Sequence, residues 1–151
     1  MSRSARVLAL ANQKGGVAKT TTTVNLGVAL TAMGLRVLAV DLDPQSNLAM
    51  SQGVDVERLE LTMYDVLVKG VPMADIVHAR EIDVAPAGIE LAGAEMALTA
   101  TIGRERALNR ALAPLRERYD VILLDTPPSL GLLTINAMTA ADGVIVPVQC
   151  E

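Results

Sequence analysis

The residues best suited to chemistry form one short loop, residues 13–21, which reads Gln-Lys-Gly-Gly-Val-Ala-Lys-Thr-Thr. A loop that binds phosphate needs successive backbone N–H groups turned toward the anion, which favours glycine, and a helix N-terminus aimed at it. It also needs a lysine for the β and γ phosphates and a hydroxyl group for Mg²⁺. Lys19 and Thr20 stand where these two roles require. The loop therefore predicts a binding site for a nucleotide and its magnesium ion.

Two positions of this loop depart from the usual pattern G-x-x-x-x-G-K-[ST], because Gln13 and Ala18 replace its two glycines. If Ala18 takes a positive φ, alanine costs about 1 kcal/mol relative to glycine, and its methyl group crowds the phosphates. If φ is negative, the cost is small and the loop is stiffer. Nucleotide binding is expected in both cases, whereas the rate of turnover depends on which of them holds.

Carboxylates end two apolar segments farther along the chain. Asp41 and Asp43 belong to Asp-Leu-Asp-Pro-Gln-Ser-Asn, and Asp125 ends Val-Ile-Leu-Leu-Asp before Thr-Pro-Pro-Ser. Ligands of open α/β sheets bind at the carboxyl ends of strands, so these groups are expected beside the phosphates. An apolar strand ending in aspartate is typical of a Walker B element, which holds Mg²⁺ directly or through water. The alternative is a pair of polar turns, with Asp-Pro as the breaker.

The elements that must position these groups alternate along the chain. Apolar segments predict strands at residues 6–11, 36–41, 82–85, 120–125 and 143–148. Helices are predicted at residues 20–33, 62–68 with Thr62 as N-cap, 90–100, 105–115 and 130–140. This alternation predicts an α/β fold with a doubly wound, mainly parallel sheet and helices on both faces.

Composition indicates one domain over residues 1–151, with 51% apolar residues and a net charge of −4. The charge argues against a general nucleic-acid surface on this part of the chain. Arginines cluster between residues 104 and 118, but Glu105 and Glu117 interrupt them. This pattern favours a solvated helix face over a nucleic-acid-binding surface. The only cysteine, Cys150, excludes a disulfide framework and the paired cysteines of an iron-protein reductase.

Targeting signals and chain ends give further expectations. No apolar run approaches the ~18 residues of a membrane span, and the first residues lack the apolar core of a signal peptide, so a cytoplasmic protein without a membrane partner is expected.

The chain stops straight after its fifth predicted strand. An uncovered apolar edge strand is a liability, so we expect that the C-terminal part of the domain is missing.

Three of these motifs resemble those of the ParA/Soj-type partition ATPases of the MinD/ParA superfamily. Residues 14–20 resemble the deviant Walker A motif K-G-G-x-G-K-[ST] and depart from it at Ala18. Residues 41–45 resemble the D-x-D-P-Q switch, and Asp125-Thr-Pro-Pro-Ser-Leu resembles the Walker B region of that family. The resemblance covers nearly the whole chain and implies a P-loop NTPase fold of the deviant Walker subclass.

The resemblance also implies residue roles. Lys14 is expected to reach the nucleotide of the facing subunit in an ATP-sandwich homodimer, and Asp43 to position the attacking water, which makes them the predicted catalytic pair. The predicted nucleotide contacts are Lys14, Gly15, Gly16, Val17, Ala18, Lys19, Thr20 and Thr21. The predicted Mg²⁺ neighbours are Thr20, Asp125 and Asp41.

The resemblance implies that the protein is an ATPase, which hydrolyses ATP to ADP and phosphate in chromosome or plasmid partitioning. Its implied partners are a ParB-like centromere-binding protein and nonspecific DNA bound by the full-length dimer, which would make it nucleoid-associated. One alternative is a nucleotide-gated interaction protein with negligible hydrolysis. Another is a MinD-like division ATPase, which needs a C-terminal amphipathic membrane helix that this sequence does not contain.

Overall fold

The computed structural model describes residues 4–150. Within that range the strands are β1 (Arg6–Leu10), β2 (Val37–Asp41), β3 (Asp83–Ala85), β4 (Val121–Asp125) and β5 (Gly143–Ile145). The α-helices are α1 (Lys19–Ala32), α2 (Asn47–Ser51), α3 (Met63–Lys69), α4 (Ala94–Leu98), α5 (Ala107–Leu112) and α6 (Leu132–Ala140). Short 3₁₀ helices lie at Val56–Arg58, Met73–Asp75, Ile89–Gly93, Arg104–Arg106 and Ala113–Leu115.

The five strands form one parallel sheet in the order β3-β2-β4-β1-β5, which confirms the predicted fold class. Strand β4 lies between β2 and β1, although it follows both in the chain. Its register with β2 pairs Asp41 with Asp125, and its register with β1 pairs Leu10 with Asp125. Three consecutive neighbours in the sheet therefore end at the same level, so the residues that follow them meet at one edge.

Apolar side chains fill the space on both faces of the sheet. One core contains Val7, Leu38 and Ile122 together with side chains from α3, α5 and α6. The other contains Leu10, Ala39 and Leu123, with partly buried side chains of α1 packed against it. All five residues of β2 are buried, as expected for a parallel strand covered on both faces. The site at the sheet edge therefore rests on a rigid support.

Several element boundaries differ from the sequence predictions for local reasons. Helix α3 begins after Thr62, which forms the predicted N-cap, with Asp65 completing a capping box. The predicted helix 105–115 gives way to a 3₁₀ turn at Ala113–Leu115, where Pro114 has no N–H to donate. Strand β5 ends at Ile145 and not at residue 148, two residues before Pro147. The short helix α2 was not predicted.

The arginine cluster is a solvated face with one exception. Arg104, Arg106, Arg110 and Arg118 are exposed, as predicted. Arg116 is half-buried instead, and its guanidinium donates to the Ala140 carbonyl over 2.9 Å and lies 3.4 Å from Asp142.

Across residues 4–150, no helix has the length and apolar character needed to cross a membrane.

Candidate phosphate-binding site

The backbone of the loop between β1 and α1 settles the alternatives for Ala18. Ala18 has φ 61° and ψ 33°, in the left-handed region, and Gly16 also has a positive φ of 70°. The alternative with a positive φ at Ala18 therefore holds. In this conformation alanine is disfavoured by about 1 kcal/mol relative to glycine. Ala18 is the N-cap of α1 and supplies no side-chain hydrogen bond to the first turn. The N–H groups of that turn stay directed at the loop.

Lys19 holds its positive charge inside the loop. Its side chain is buried, and Nζ donates to the carbonyl of Asn12 over 2.9 Å and to that of Lys14 over 3.3 Å. The Asn12 side chain accepts the Lys14 N–H over 2.9 Å and donates to the Pro147 carbonyl over 2.8 Å. These bonds fasten the loop to the segment that follows β5. The ammonium group is thereby pre-positioned for an anion.

Thr20 and Asp125 join the loop to the end of β4. Thr20 Oγ1 donates to Asp125 Oδ2 over 2.7 Å. The other oxygen, Oδ1, is buried and has no hydrogen-bond partner among the described residues. Burial raises the pKa of Asp125 to about 6, although the Thr20 hydroxyl and the charge of Lys19 oppose this shift. An unpartnered buried carboxylate oxygen beside a hydroxyl suits a hard cation with bound water.

Asp41 lies beside Asp125 on the neighbouring strand and is fully buried. Its carboxylate accepts the N–H groups of Asp43 over 3.1 Å and of Ala49 over 3.2 Å. Burial, followed by the charge of Asp125, raises the pKa of Asp41 to about 8 despite those two hydrogen bonds. The bonds to Asp43 and Ala49 connect β2 to the start of α2, so Asp41 organises the turn as well as the charge of the site.

A cavity of about 550 Å³ opens above these groups. The predicted residues that line it are Gly15, Gly16, Val17, Ala18, Lys19, Thr20, Thr21 and Asp43. Asp41 and Asp125 lie beneath this lining. Lys14 is exposed outside it, bonded to Asn12 through its backbone N–H. Asp43 is half-buried, and its Oδ1 accepts the Gln45 N–H over 3.0 Å, which aligns the carboxylate along the turn.

Four further residues line the cavity without having been assigned there from the sequence: Gln45, Asn47, Thr126 and Pro128. Gln45 and Asn47 follow β2, whereas Thr126 and Pro128 follow β4. Their position after the ends of two parallel strands was the available signal, since such ends meet at one edge. Asn12 was also missed as the residue that ties the loop to the segment after β5.

Asp125→Asn is expected to stabilise the chain at pH 8. A folded-state pKa of about 6, against 3.8 for an exposed aspartate, means that folding favours the protonated form. The contribution of Asp125 to the stability of the fold is therefore largest below pH 4 and is lost as pH rises through 6. The corresponding contribution of Asp41 is lost at higher pH, as pH rises through 8. An amide keeps an acceptor for Thr20 and carries no charge. The thermal midpoint at pH 8 should rise by about 2–4 °C or more, the effect of ~1 kcal/mol at this chain length.

The matched control for this substitution is Asp75→Asn, because Asp75 is exposed. It should change the midpoint little at any pH. The gain from Asp125→Asn should shrink toward pH 4, where both carboxyl groups of wild type are protonated. A lower midpoint for Asp125→Asn at pH 8 would contradict the burial of an uncompensated charge at this position.

Comparison with known proteins identifies the family. The family described as "AAA domain" matches residues 5–151. The chain is 52% identical over 149 residues to the sporulation initiation inhibitor protein Soj of Bacillus subtilis, and 50% identical over 151 residues to the chromosome partitioning protein ParA of Caulobacter vibrioides. These alignments include 97% of this chain but only 59% and 57% of the two relatives.

A solved structure shows the same fold. The cobyrinic acid a,c-diamide synthase from Mycobacterium smegmatis, with a bound ATP analogue and magnesium, superposes with a TM-score of 0.95 at 52% identity. The match covers 97% of this chain and 61% of that one, so the chain spans about three fifths of the length of these relatives. The chain belongs to the AAA-domain family, and it is similar to the Soj protein and to the chromosome partitioning protein ParA.

Proposed function

We propose that this chain is the nucleotide-binding portion of an ATP-hydrolysing switch that acts in chromosome or plasmid partitioning. The observation that carries the proposal is the 2.7 Å bond from Thr20 to Asp125, which joins the phosphate loop to the end of β4 beneath the cavity. The name of the ParA relative, a chromosome partitioning protein, supports partitioning as the process. The solved relative is named for a biosynthetic reaction, and its ATP analogue and magnesium support the same ligands for this chain.

In this proposal the triphosphate of ATP lies in the loop formed by residues 15–21. The N–H groups of the first turn of α1 and the Lys19 ammonium balance the phosphate charge. Lys19 is held by two carbonyl oxygens, so it needs no large movement to meet an anion. A preformed cradle of this kind limits the ordering cost of binding.

Thr20 and Asp125 are the residues that would hold Mg²⁺, with Asp41 behind them. The unpartnered Oδ1 of Asp125 fits such an ion, directly or through water. Within residues 4–150, no group of three or more His, Cys, Asp or Glu side chains is placed to bind a metal alone. The ion therefore requires phosphate oxygens for its remaining positions, and it would supply charge neutralisation at the γ phosphate.

Asp43 is the residue proposed to position the attacking water. It is the acidic side chain that lines the cavity, and the Gln45 N–H fixes one of its oxygens. The second oxygen is left for a water molecule. Phosphoryl transfer depends mainly on positioning and charge neutralisation, so one oriented carboxylate meets the requirement.

Mant-ATP fluorescence together with a phosphate-release assay tests this function. We expect saturable binding that magnesium strengthens, and release of phosphate that a ParB-like protein accelerates. Binding without release would favour the alternative of a nucleotide-gated interaction protein with negligible hydrolysis. If the chain did not bind mant-ATP at all, that result would contradict the proposal.

The left-handed backbone of Ala18 is the observation that favours this second candidate. Ala18→Gly is expected to raise the rate of phosphate release, because it removes a methyl group from the lining of the cavity. It should also stabilise the apo chain by up to about 1 kcal/mol by relieving the positive φ. Turnover kinetics and thermal unfolding measure the two effects separately.

Gly34→Ala provides the control for backbone strain alone. Gly34 has a φ of 86°, and a Cβ atom there would meet nothing within 4 Å. This variant should lose stability without changing the rate of phosphate release. If Ala18→Gly gains stability but leaves the rate unchanged, the methyl group does not limit turnover.

Lys14→Ala tests the proposed homodimer with ATP sandwiched between subunits. Lys14 is exposed outside the cavity lining, so its loss should leave ADP affinity within about twofold. ATP-induced dimers should disappear, because the proposed contact forms only when the second subunit arrives. Sizing chromatography with ATP and with ADP measures this. A persistent ATP dimer would show that Lys14 does not cross the interface. Nonspecific DNA binding, which the proposal assigns to the full-length dimer, would then persist in the full-length protein as well.

A further inference from the structure

A second cavity, of about 830 Å³, lies apart from the phosphate site and shares no lining residue with it. One of its walls is residues 66–74, which include the end of α3 and the turn that follows. The other wall is formed by Ala107, Arg110, Ala111, Pro114, Leu115 and Arg118. These six residues recur at intervals of three and one, which is the spacing of a single helix face. We call this cavity the α5 groove.

The α5 groove is long rather than compact. From residue 107 to residue 118 its second wall runs along α5, the 3₁₀ turn Ala113–Leu115 and the turn after it. Eleven residue steps at 1.5–2.0 Å each span about 16–22 Å. A groove of this length matches three to four turns of a peptide helix, or a short extended segment, better than it matches a small molecule.

The surface inside the groove is mainly apolar, and two of its side chains on α5, Ala107 and Ala111, are small. Leu115 is buried, whereas Val68, Val71 and Ala111 are partly exposed to the groove. Ala111 and Ala107, one turn apart, let an incoming backbone approach closely. Such a surface would bury apolar side chains of a ligand.

The rim of the groove is positively charged, in contrast to the net charge of −4 of the chain. Lys69 stands on one wall, Arg110 and Arg118 on the other, and no carboxylate lines the groove. Asp65 neutralises Lys69 through an ion pair of 2.9 Å. Arg110 donates to the Gly103 carbonyl over 3.1 Å, which leaves its charge uncompensated by that bond. The two arginines therefore face a ligand with a net positive potential.

We propose that the α5 groove binds an acidic peptide segment of a partner protein, with apolar side chains in the groove and carboxylates at Arg110 and Arg118. Arginine pairs with carboxylates in bidentate fashion, which gives direction to an otherwise apolar contact. This partner is distinct from nucleotide and from the second subunit at the phosphate site, since the groove shares no residue with the cavity there.

A displayed peptide library without charge bias, selected against the 151-residue chain, tests the proposal. We expect selected peptides to combine Asp or Glu with bulky apolar residues. Fluorescence anisotropy should show at least tenfold weaker binding to Arg110→Glu/Arg118→Glu. It should change less than twofold for Arg58→Glu/Arg80→Glu, which makes the same charge change at exposed arginines outside the groove. A peptide with Lys in place of Glu should regain affinity for the Arg110→Glu/Arg118→Glu variant.

Mant-ATP binding by both double variants should stay within twofold of wild type, which separates failure of the groove from failure of the nucleotide site. Five results would overturn the proposal. Selection could yield no binder, or binders without acidic residues, or binders indifferent to Arg110→Glu/Arg118→Glu. Wild type could bind phosphatidylglycerol vesicles and the Arg110→Glu/Arg118→Glu variant fail to bind them, which would assign the groove to a lipid surface. Finally, sizing chromatography could show that wild type without peptide is a dimer and the variant a monomer, which would assign the groove to a second copy.

Discussion

Replacing Lys19 by alanine is expected to weaken ATP binding at least tenfold. Lys19 is a buried cation whose Nζ lies within the loop that would hold the phosphates. A hydrogen bond to a charged group contributes about 1.5–3 kcal/mol, which corresponds to roughly 10- to 150-fold in the dissociation constant. Mant-ATP titration measures the change directly.

The structure adds a complication, because Lys19 also bonds to the carbonyls of Asn12 and Lys14 and so shapes the empty loop. Lys19→Gln keeps a donor for one of these oxygens and removes the charge. It should lose most of the affinity as well, whereas Lys69→Ala, at an exposed lysine on one wall of the α5 groove, should lose none. Affinity within twofold of wild type for both Lys19 variants would remove this lysine from the phosphate site.

The fold followed from the sequence because each apolar segment is short and is separated from the next by a helical or polar stretch. That alternation fixes a parallel sheet. Strand order is another matter, since β4 enters between β2 and β1 through contacts far apart in the chain. The side-by-side register of Asp41 and Asp125 comes from that order. Two aspartates at strand ends could be predicted, but not their direct proximity.

Local backbone conformation was the least predictable part of the site. Ala18 and Ser46 are the two non-glycine residues with positive φ among the described residues, and each is the N-cap of a helix that borders the cavity. The glycine that the motif expects at position 18 raised a positive φ as one alternative, but a single sequence does not decide it, because surrounding contacts impose the conformation. Helix α2, only five residues long, was missed for the same reason: Asp41, through its bond to the Ala49 N–H, stabilises it from outside.

The burial of charge was equally invisible in the sequence. Asp125 ends β4 and Asp43 lies two residues after β2, yet Asp125 is buried with an unpartnered oxygen and Asp43 lines the cavity. In the proposed mechanism, this difference in depth decides which carboxylate would meet a cation and which would meet water. That depth is set by the strand register and the turn at residues 43–46, and neither can be derived from a single sequence.

Asp43→Ala is expected to separate ATP binding from hydrolysis. Asp43 lines the cavity at its edge, and its backbone N–H, which the substitution retains, supplies the bond to Asp41. Affinity for ATP should therefore stay within about threefold of wild type. Phosphate release should fall by about 100-fold or more, the usual effect of removing a group that acts on the reacting water. The ATP-bound dimer should accumulate, because hydrolysis no longer dissolves it.

Asp43→Asn isolates the charge from the shape of the turn, because its amide oxygen can still accept the Gln45 N–H that Asp43 accepts over 3.0 Å. If the carboxylate positions water, the asparagine variant should hydrolyse as slowly as the alanine variant while matching wild type in thermal stability. If instead the role of Asp43 is to hold the turn, asparagine should restore hydrolysis and alanine alone should fail. Loss of ATP binding in both variants would make Asp43 a direct ligand of the metal or phosphate. The attacking water would then need another partner, and the exposed side chains of Gln45 and Asn47, which also line the cavity, would be the first to test.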